Sequence, residues 1–274
     1  MHPRLFLDVF TTEARRQMAY RADFWIGAIG GLIAGIGIPY FLWKSVFDAR
    51  AMGGESVTIG GLGFEEIIAY YVTVALAASI VHGPDLLTNA STDIYEGSLT
   101  RYLVYPTHYL PFKYAQHLGL MLPNFLQVVL FGCLFLTLLT VPESLSLNLV
   151  SLLRAALSVA LANLLYFLLC FVIQLVSFWA DNVWSLLVLF RWVAALLGGF
   201  MLPLALYPAW AQELLPLTPF PSLYAIPVGT LLGTVSPAEW ARSAGVALAW
   251  CVVLVGVIRL VWARGSLKYT GVGI

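Results

Sequence analysis

The chain has 274 residues, of which 61% are hydrophobic and 10% are charged, and its mean hydropathy is +0.88. Soluble domains carry about 25% charged residues, so this composition excludes an ordinary water-soluble fold. The 14 basic residues balance the 14 acidic ones, which argues against a nucleic-acid partner. At roughly 20 residues for each span, the length allows about six membrane-spanning helices. We therefore expect a single all-α transmembrane domain over residues 1–274.

The first predicted element is an amphipathic helix over residues 1–22. Apolar residues from Leu5 to Phe10 share one helical face, and several arginines, including Arg15 and Arg16, accompany them. An apolar face beside basic residues is typical of a helix that lies in the membrane interface on an anionic leaflet. The alternative is a plain basic flank to the first span.

Six apolar runs follow, and their lengths suit membrane-spanning helices. The predicted spans are residues 23–47, 64–82, 113–140, 148–178, 183–201 and 240–262. Lysine and arginine accumulate on the cytoplasmic side of membrane proteins. With six spans, one side receives Arg4, Arg15, Arg16, Arg21, Arg101, Lys113, Arg264 and Lys268, and the other receives Lys44, Arg50 and Arg242. This asymmetry predicts that both termini face the cytoplasm.

Residues 83–112, called here the polar segment, separate spans two and three. Pro84 suits the first turn of a helix, and Gly97 is expected to end that helix. The apolar positions at helical spacing are Leu86, Leu87, Ala90 and Ile94, and the residues predicted to lie away from that face are Asp85, Thr88, Asn89, Thr92 and Asp93. A second short turn ends at Pro106. The pattern predicts an amphipathic hairpin, and the alternative is a solvated loop that caps the bundle.

Residues 202–238, called here the proline-rich segment, contain half of the 14 prolines of the chain. Irregular backbone at membrane depth is tolerated only where it is buried in protein or lines a cavity. The apolar residues of this segment therefore favour packing into the bundle, and the alternative is an ordinary surface loop.

Motifs for chemistry are absent from the sequence. It contains no G-x-x-x-x-G-K-[ST] phosphate-binding loop, no G-x-S-x-G and no H-E-x-x-H. We therefore predict no catalytic residue, no metal site and no cofactor bound by this chain. Arg191 lies inside the fifth span, where a charge is costly, so it should face a partner, a cavity or a lipid phosphate. Arg191 and Gln174 are accordingly predicted to contact a translocation pathway or lipid, with Gln174 and Asp181 as possible partners of Arg191.

Several short motifs occur together in a characteristic order. They lie at residues 20–25, 93–99, 102–106, 177–184, 198–204, 207–210 and 215–220, and the most specific is I-x-x-G-x-L-x-x-x-L-x-x-P from Ile94 to Pro106. In these motifs the chain resembles the permease (membrane) subunit of type 2 ATP-binding-cassette (ABC) exporters. Within that family it is similar to the branch of small six-span permeases without external domains. The resemblance covers nearly the whole chain.

The resemblance implies that the polar segment is a cytoplasmic coupling helix that docks on a separate ABC ATPase subunit. The matching positions here are Asp85, Asp93, Ile94, Tyr95, Glu96, Gly97, Leu99 and Arg101. ATP and magnesium would then bind to the partner ATPase, so this chain would be a transport subunit and not an enzyme.

The resemblance further implies a dimer with a second permease, identical or homologous, among the lipids of a bacterial plasma (inner) membrane. The proline-rich segment would form re-entrant helices that close the outer end of the pathway. The alternative function is an ion-coupled secondary transporter. Such transporters use ionisable residues within their spans, whereas the acidic residues Glu65 and Glu66 lie at a span end.

Overall fold

A computed structural model of the chain describes residues 2–19, 21–51, 58–83, 89–105, 107–138 and 148–270. Within these ranges the secondary structure is helical and contains no β-strand, so the all-α prediction is confirmed. The α-helices are α1 Pro3–Ala19, α2 Arg21–Ala51, α3 Phe64–His82, α4 Asn89–Tyr95, α5 Leu99–Leu103, α6 Tyr109–Leu138, α7 Leu149–Gln174, α8 Trp184–Leu197, α9 Ala209–Leu214, α10 Ala225–Leu231 and α11 Pro237–Gly265. Short 3-10 turns lie at Leu175–Phe178, Leu204–Leu206, Leu215–Leu217 and Pro221–Leu223.

Five helices in the described part of the chain are long and apolar enough to cross a membrane. They occupy Trp25–Arg50, Phe64–His82, Tyr109–Phe135, Leu149–Phe178 and Pro237–Gly265, and they coincide with five of the six predicted spans. The third of these helices begins inside the predicted polar segment, at Tyr109. The multi-pass membrane fold is therefore confirmed.

The fifth predicted span, residues 183–201, is longer than the helix that the structure shows. Helix α8 has 14 residues and ends at Leu197, so it is about 21 Å long, against about 30 Å for a hydrocarbon core. The cause is the glycine pair that follows it. Gly199 has a φ of 91°, a left-handed conformation that favours glycine and turns the chain away from the helix axis.

Helix α7 is the centre of the bundle. It packs against α3, α8, α10 and α11, while α3 in turn contacts α2 and α6. Its buried residues include Leu165, Phe167 and Phe171, which lie in the main hydrophobic core. The core is thus built around one spanning helix whose ends contact both connecting segments.

The N-terminal helix α1 packs along the first half of α6. The amide of Gln116 donates a hydrogen bond of 2.8 Å to Glu13, and Ala14 is buried. A Cβ on Gly119 would clash with the carbonyl oxygen of Phe10, so only glycine allows this close approach. The predicted N-terminal helix therefore exists and is fixed to α6, and its depth in the membrane interface stays a prediction.

The second half of the proline-rich segment is packed inside the bundle. Leu223, Tyr224 and Val228 are fully buried, and α10 contacts α3, α7 and α11. The first half is more exposed, with Trp210 and Leu217 at the surface. Burial among spanning helices is what irregular backbone requires in a membrane, so the surface-loop alternative does not describe residues 221–231.

Candidate functional site

The polar segment folds into two short helices, α4 and α5, that meet at Gly97. Gly97 has a φ of 75° and ends α4, as the sequence predicts, because glycine adopts this conformation without steric cost. Ala90 and Ile94 are buried on the predicted apolar face, and Leu99 of α5 is buried with them. The predicted helix start at Pro84 and the coupling residue Asp85 lie outside the described residues.

A buried ion pair fixes this segment to the first turns of α6. Asp93 is 7% exposed and Lys113 is 6% exposed, and their charged atoms are 2.5 Å apart. The hydroxyls of Tyr109 and Ser98 donate to the same carboxylate at 2.6 and 2.9 Å. A buried ion pair is tolerated when further hydrogen bonds satisfy both partners, and this carboxylate is fully satisfied.

The cation of this pair has aromatic neighbours as well. The Lys113 ammonium lies 4.4 Å from the ring centroid of Tyr102 and 5.4 Å from that of Tyr109, and it donates to the Tyr102 hydroxyl at 3.3 Å. Aromatic rings attract cations most strongly where water is excluded. The prediction that Asp93 lies on the polar side of the helix is therefore wrong, because α6 supplies a buried cation and hydroxyl donors for it.

Gln174, at the end of α7, holds the start of α4. Its side-chain oxygen accepts a hydrogen bond of 2.8 Å from the backbone N–H of Ala90, and its side chain is buried. The first N–H groups of a helix have no partner within the helix, and this contact satisfies one of them. The structure thus places Gln174 against the polar segment, where it acts as a helix cap, and its contact with a pathway or lipid stays a prediction.

Tyr269, in the C-terminal residues, holds the turn between α4 and α5. Its hydroxyl donates to the carbonyl of Gly97 at 2.6 Å and lies 3.0 Å from the backbone nitrogen and 2.9 Å from the hydroxyl of Thr100. Sequence reasoning missed this residue, and no local pattern indicates it. The polar segment is consequently attached at three places, to α6, to α7 and to the residues after α11.

The attached segment leaves one face exposed. Of the predicted coupling residues, Tyr95, Glu96 and Arg101 lie on this face, while Asp93, Ile94 and Leu99 are buried and Gly97 is half-buried at the turn. Next to them is an apolar patch, Leu103, Val104 and Tyr105, in which Val104 is 79% exposed. An apolar patch beside charged residues is typical of a protein–protein contact surface. Leu103, Val104 and Tyr105 were not among the predicted coupling residues.

One further contact joins the end of α3 to the proline-rich segment. His82 is the last residue of α3 and precedes Gly83, whose φ is 64°. A ring nitrogen of His82 is hydrogen-bonded to the hydroxyl of Tyr224, and its ring packs against Tyr166 and Phe200. No local sequence pattern indicates this contact between His82 and Tyr224.

Arg191 lies on an exposed side of α8. It forms no ion pair with any described residue. The exposed apolar residues of α8 around it are Leu186, Leu189, Trp192, Val193 and Leu196. Contact of Arg191 with a pathway or lipid stays a prediction.

The fold and this site define a multi-pass, all-helical membrane protein in which a folded polar segment is fixed to spanning helices and exposes one face. The sequence pattern of the family described as ABC-2 family transporter protein matches residues 34–273, so the chain belongs to that family. This match confirms the resemblance to type 2 ABC permeases, a family of transport subunits. No curated protein and no solved structure matches the chain.

Proposed function

We propose that this chain is the permease of an ATP-driven ABC exporter and that a separate ATPase docks on the exposed face of the polar segment. The observation that carries the proposal is the buried Asp93–Lys113 pair. A segment that transmits motion must be rigidly joined to the helices it moves, and a solvated loop would lose that motion. The ion pair supplies such a joint while Tyr95, Glu96 and Arg101 stay exposed.

The three attachments of the polar segment give docking a mechanical route into the bundle. Displacement of α4 acts on α6 through Lys113, on α7 through Gln174 and on α11 through Tyr269. In this scheme motion of α6 passes to α3, which packs on it, and from α3 to the proline-rich segment through the contact between His82 and Tyr224. ATP and magnesium bind to the ATPase in this scheme, since the sequence has no phosphate-binding loop.

The arrangement of the chain ends supports a cytoplasmic position for the polar segment. Helix α1 packs on the part of α6 that follows the polar segment, and Tyr269 contacts the segment itself. Both ends therefore share one end of the bundle with Arg101 and Lys113, and the accumulation of basic residues assigns that end to the cytoplasm of a bacterial plasma membrane.

The exposed faces of α2 and α8 support a dimer with a second permease, identical or homologous. Most of α2 beyond its contact with α3 is exposed, as is the apolar side of α8. Arg191 lies on the exposed side of α8, and a charge facing lipid at this depth is costly. A second permease at this face, with a polar pathway between the two copies, would give Arg191 a favourable environment.

The test is co-purification with a candidate ABC ATPase encoded beside the chain, followed by measurement of ATP hydrolysis in proteoliposomes. We expect Glu96→Lys to reduce co-purification and hydrolysis at least tenfold, because a charge reversal at a docking face costs about 1.4 kcal/mol or more. The matched control is Glu213→Lys on α9, which is also exposed but lies in the proline-rich segment.

Equal assembly and hydrolysis in the two variants would contradict the docking site. Solute transport driven by a proton or sodium gradient in proteoliposomes without any ATPase would overturn the ABC assignment and favour the secondary transporter.

A further inference from the structure

A cavity of about 460 Å³ lies between α7 and α11, and Tyr114 of α6 also lines it. Its walls include Leu161 and Leu164 of α7 and Ala244 and Ala247 of α11, and Ser222 and Ile226 of the proline-rich segment also line it. Ligand sites for small molecules commonly have volumes of roughly 300–1,000 Å³ and mainly apolar walls. The cavity therefore has the size and lining of a binding site for an apolar group.

The cavity opens on the side of the bundle that faces lipid. Leu157 of α7 and Leu248 of α11 line it and are 60% and 56% exposed. Both residues belong to helices that are apolar enough to span a membrane, so the medium outside the opening is hydrocarbon and not water. The molecule with direct access to this cavity is thus a membrane lipid.

Polar groups gather at one end of the cavity. The indole N–H of Trp240 donates a hydrogen bond of 2.8 Å to the hydroxyl of Ser158, which bridges the first turns of α11 to α7. The guanidinium of Arg154 lies 6.0 Å from the centre of the Trp240 ring. Tryptophan and arginine near the ends of spans lie at the depth of lipid headgroups.

No carboxylate among the described residues neutralises the charge of Arg154. The ion pairs among the described residues are Arg16–Glu13 and Lys113–Asp93, so Arg154 has no carboxylate partner there, and Glu239 beside Trp240 does not pair with it. An arginine fork binds phosphate oxygens through parallel charge-assisted hydrogen bonds. A phosphate at this position would complement Arg154 directly above the apolar cavity.

We propose that the groove between α7 and α11 binds a glycerophospholipid, with one acyl chain in the cavity and the phosphate on Arg154. An acyl chain that enters the cavity from the bilayer gains little hydrophobic free energy, because it leaves one apolar medium for another. Its gain comes from filling a space in which the walls otherwise lack contact partners, and the phosphate adds selectivity. The site requires neither an ATPase nor transport, so it stands independently of the proposed function.

The test uses the full chain in nanodiscs of phosphatidylethanolamine and phosphatidylglycerol that contain a phospholipid with a diazirine in the middle of one acyl chain. After irradiation, mass spectrometry locates the labelled peptides. We expect labelling to concentrate on the α7 and α11 residues that line the cavity. Ala244→Phe, which fills the cavity, should reduce this labelling at least fivefold, and Ser243→Phe provides a second filling variant if the first does not fold.

The matched control for cavity filling is Ala249→Phe, because Ala249 is exposed on the same helix and does not line the cavity. The headgroup is tested with a diacylglycerol probe that carries the same diazirine but no phosphate. The wild-type chain should prefer the phospholipid probe, Arg154→Gln should lose this preference, and the exposed control Arg242→Gln should keep it.

Equal labelling in Ala244→Phe and Ala249→Phe, or equal labelling of all lipid-facing spans, would show ordinary boundary lipid and overturn the site. A wild-type chain that labels equally with both probes would overturn the role of Arg154.

Discussion

The polar segment and the proline-rich segment are both irregular connections between spanning helices, but they are held in different ways. The polar segment is held by side-chain charges and hydrogen bonds from three other elements, around Asp93, Gln174 and Tyr269. The proline-rich segment is held by close packing of Phe220 and Tyr224 on Gly198 and by the hydroxyl of Tyr207, which donates to the carbonyl of Leu196 at 2.7 Å.

This difference suggests what each segment can do. A few strong polar contacts let the polar segment keep one face free for a partner and move as a unit with the helices that hold it. Residues 221–231 pack closely against α3 and α7, so on that side they can move only together with these two helices. We therefore expect the first segment to be sensitive to single charges and the second to be sensitive to added volume.

The largest effect is expected at the buried ion pair. Asp93→Ala leaves the Lys113 ammonium buried without its counter-charge, and breaking a buried pair in this way costs about 3–5 kcal/mol. We expect a large fall in the free energy of unfolding, measured by denaturation of the purified chain in micelles.

The control for the ion pair is Arg242→Met, because Arg242 is exposed and forms no ion pair with a described residue, and the expected loss is less than about 1 kcal/mol. The double variant Asp93→Leu with Lys113→Met should recover part of the stability, because no charge is left buried. A double variant less stable than Asp93→Ala would contradict this explanation.

The next largest effect is expected from added volume at Gly198. A Cβ there would lie 2.6 Å from the carbonyl oxygen of Ala194 and 2.8 Å from that of Phe220, and neither backbone group can move freely. Overpacking of this kind costs about 1–3 kcal/mol, so Gly198→Ala should lower the thermal stability of the chain in detergent.

Gly245→Ala is the matched control for Gly198. A Cβ at Gly245 of α11 would meet nothing within 4 Å, and alanine is the better helix former, so this variant should be neutral or stabilising. If both glycine variants lose the same stability, close packing at Gly198 is not what holds the proline-rich segment.

The same contrast explains how much of the molecule could be predicted from sequence. Long apolar runs determine five spans, because length and hydropathy are local properties, and Gly97 ends α4 through a local backbone preference. The fifth span was predicted too long because its apolar run continues past the glycine pair at which the helix ends.

The contacts that build the candidate site depend on residues far apart in the chain. Gln174 and Ala90 are separated by 84 residues, and Tyr269 and Gly97 by 172. Helical periodicity assigns Asp93 to a face of its own helix but contains no information on the helix that packs there. The exposed coupling residues could therefore be proposed from a family resemblance, whereas the residues that hold them could not.

A smaller effect on stability is expected at the contact between His82 and Tyr224. A change at this contact should also alter the response of the proline-rich segment to ATP. Tyr224→Phe removes one hydrogen bond, which costs about 1 kcal/mol. If the proposed function holds, addition of ATP to the complex with the ATPase changes the rate at which a thiol reagent labels the variant Leu217→Cys. The chain used for this measurement also carries Cys133→Ser. We expect Tyr224→Phe to reduce this change about fivefold while ATP hydrolysis continues.

Tyr70→Phe is the control for Tyr224→Phe, because it removes one hydrogen bond to Gly199 without touching the contact with His82. It should cost a similar amount of stability and keep the response of Leu217→Cys to ATP. If ATP changes the labelling rate of Leu217→Cys equally in Tyr70→Phe and Tyr224→Phe, the contact of His82 does not transmit the effect of ATP to the proline-rich segment.

The smallest effect is expected at Tyr269, which lies at the partly exposed rim of the polar segment. Tyr269→Phe removes the hydroxyl that binds Gly97 and Thr100, and the loss of one net hydrogen bond is about 1 kcal/mol. The Thr100 amide should then exchange with deuterium about fivefold faster, because the turn opens locally more often. Tyr95→Phe is the control, since Tyr95 is exposed on the same segment and its hydroxyl has no hydrogen-bond partner among the described residues. If both variants leave the exchange rate of Thr100 unchanged, the C-terminal residues rest on the turn without holding it, and the attachments of the polar segment reduce to α6 and α7.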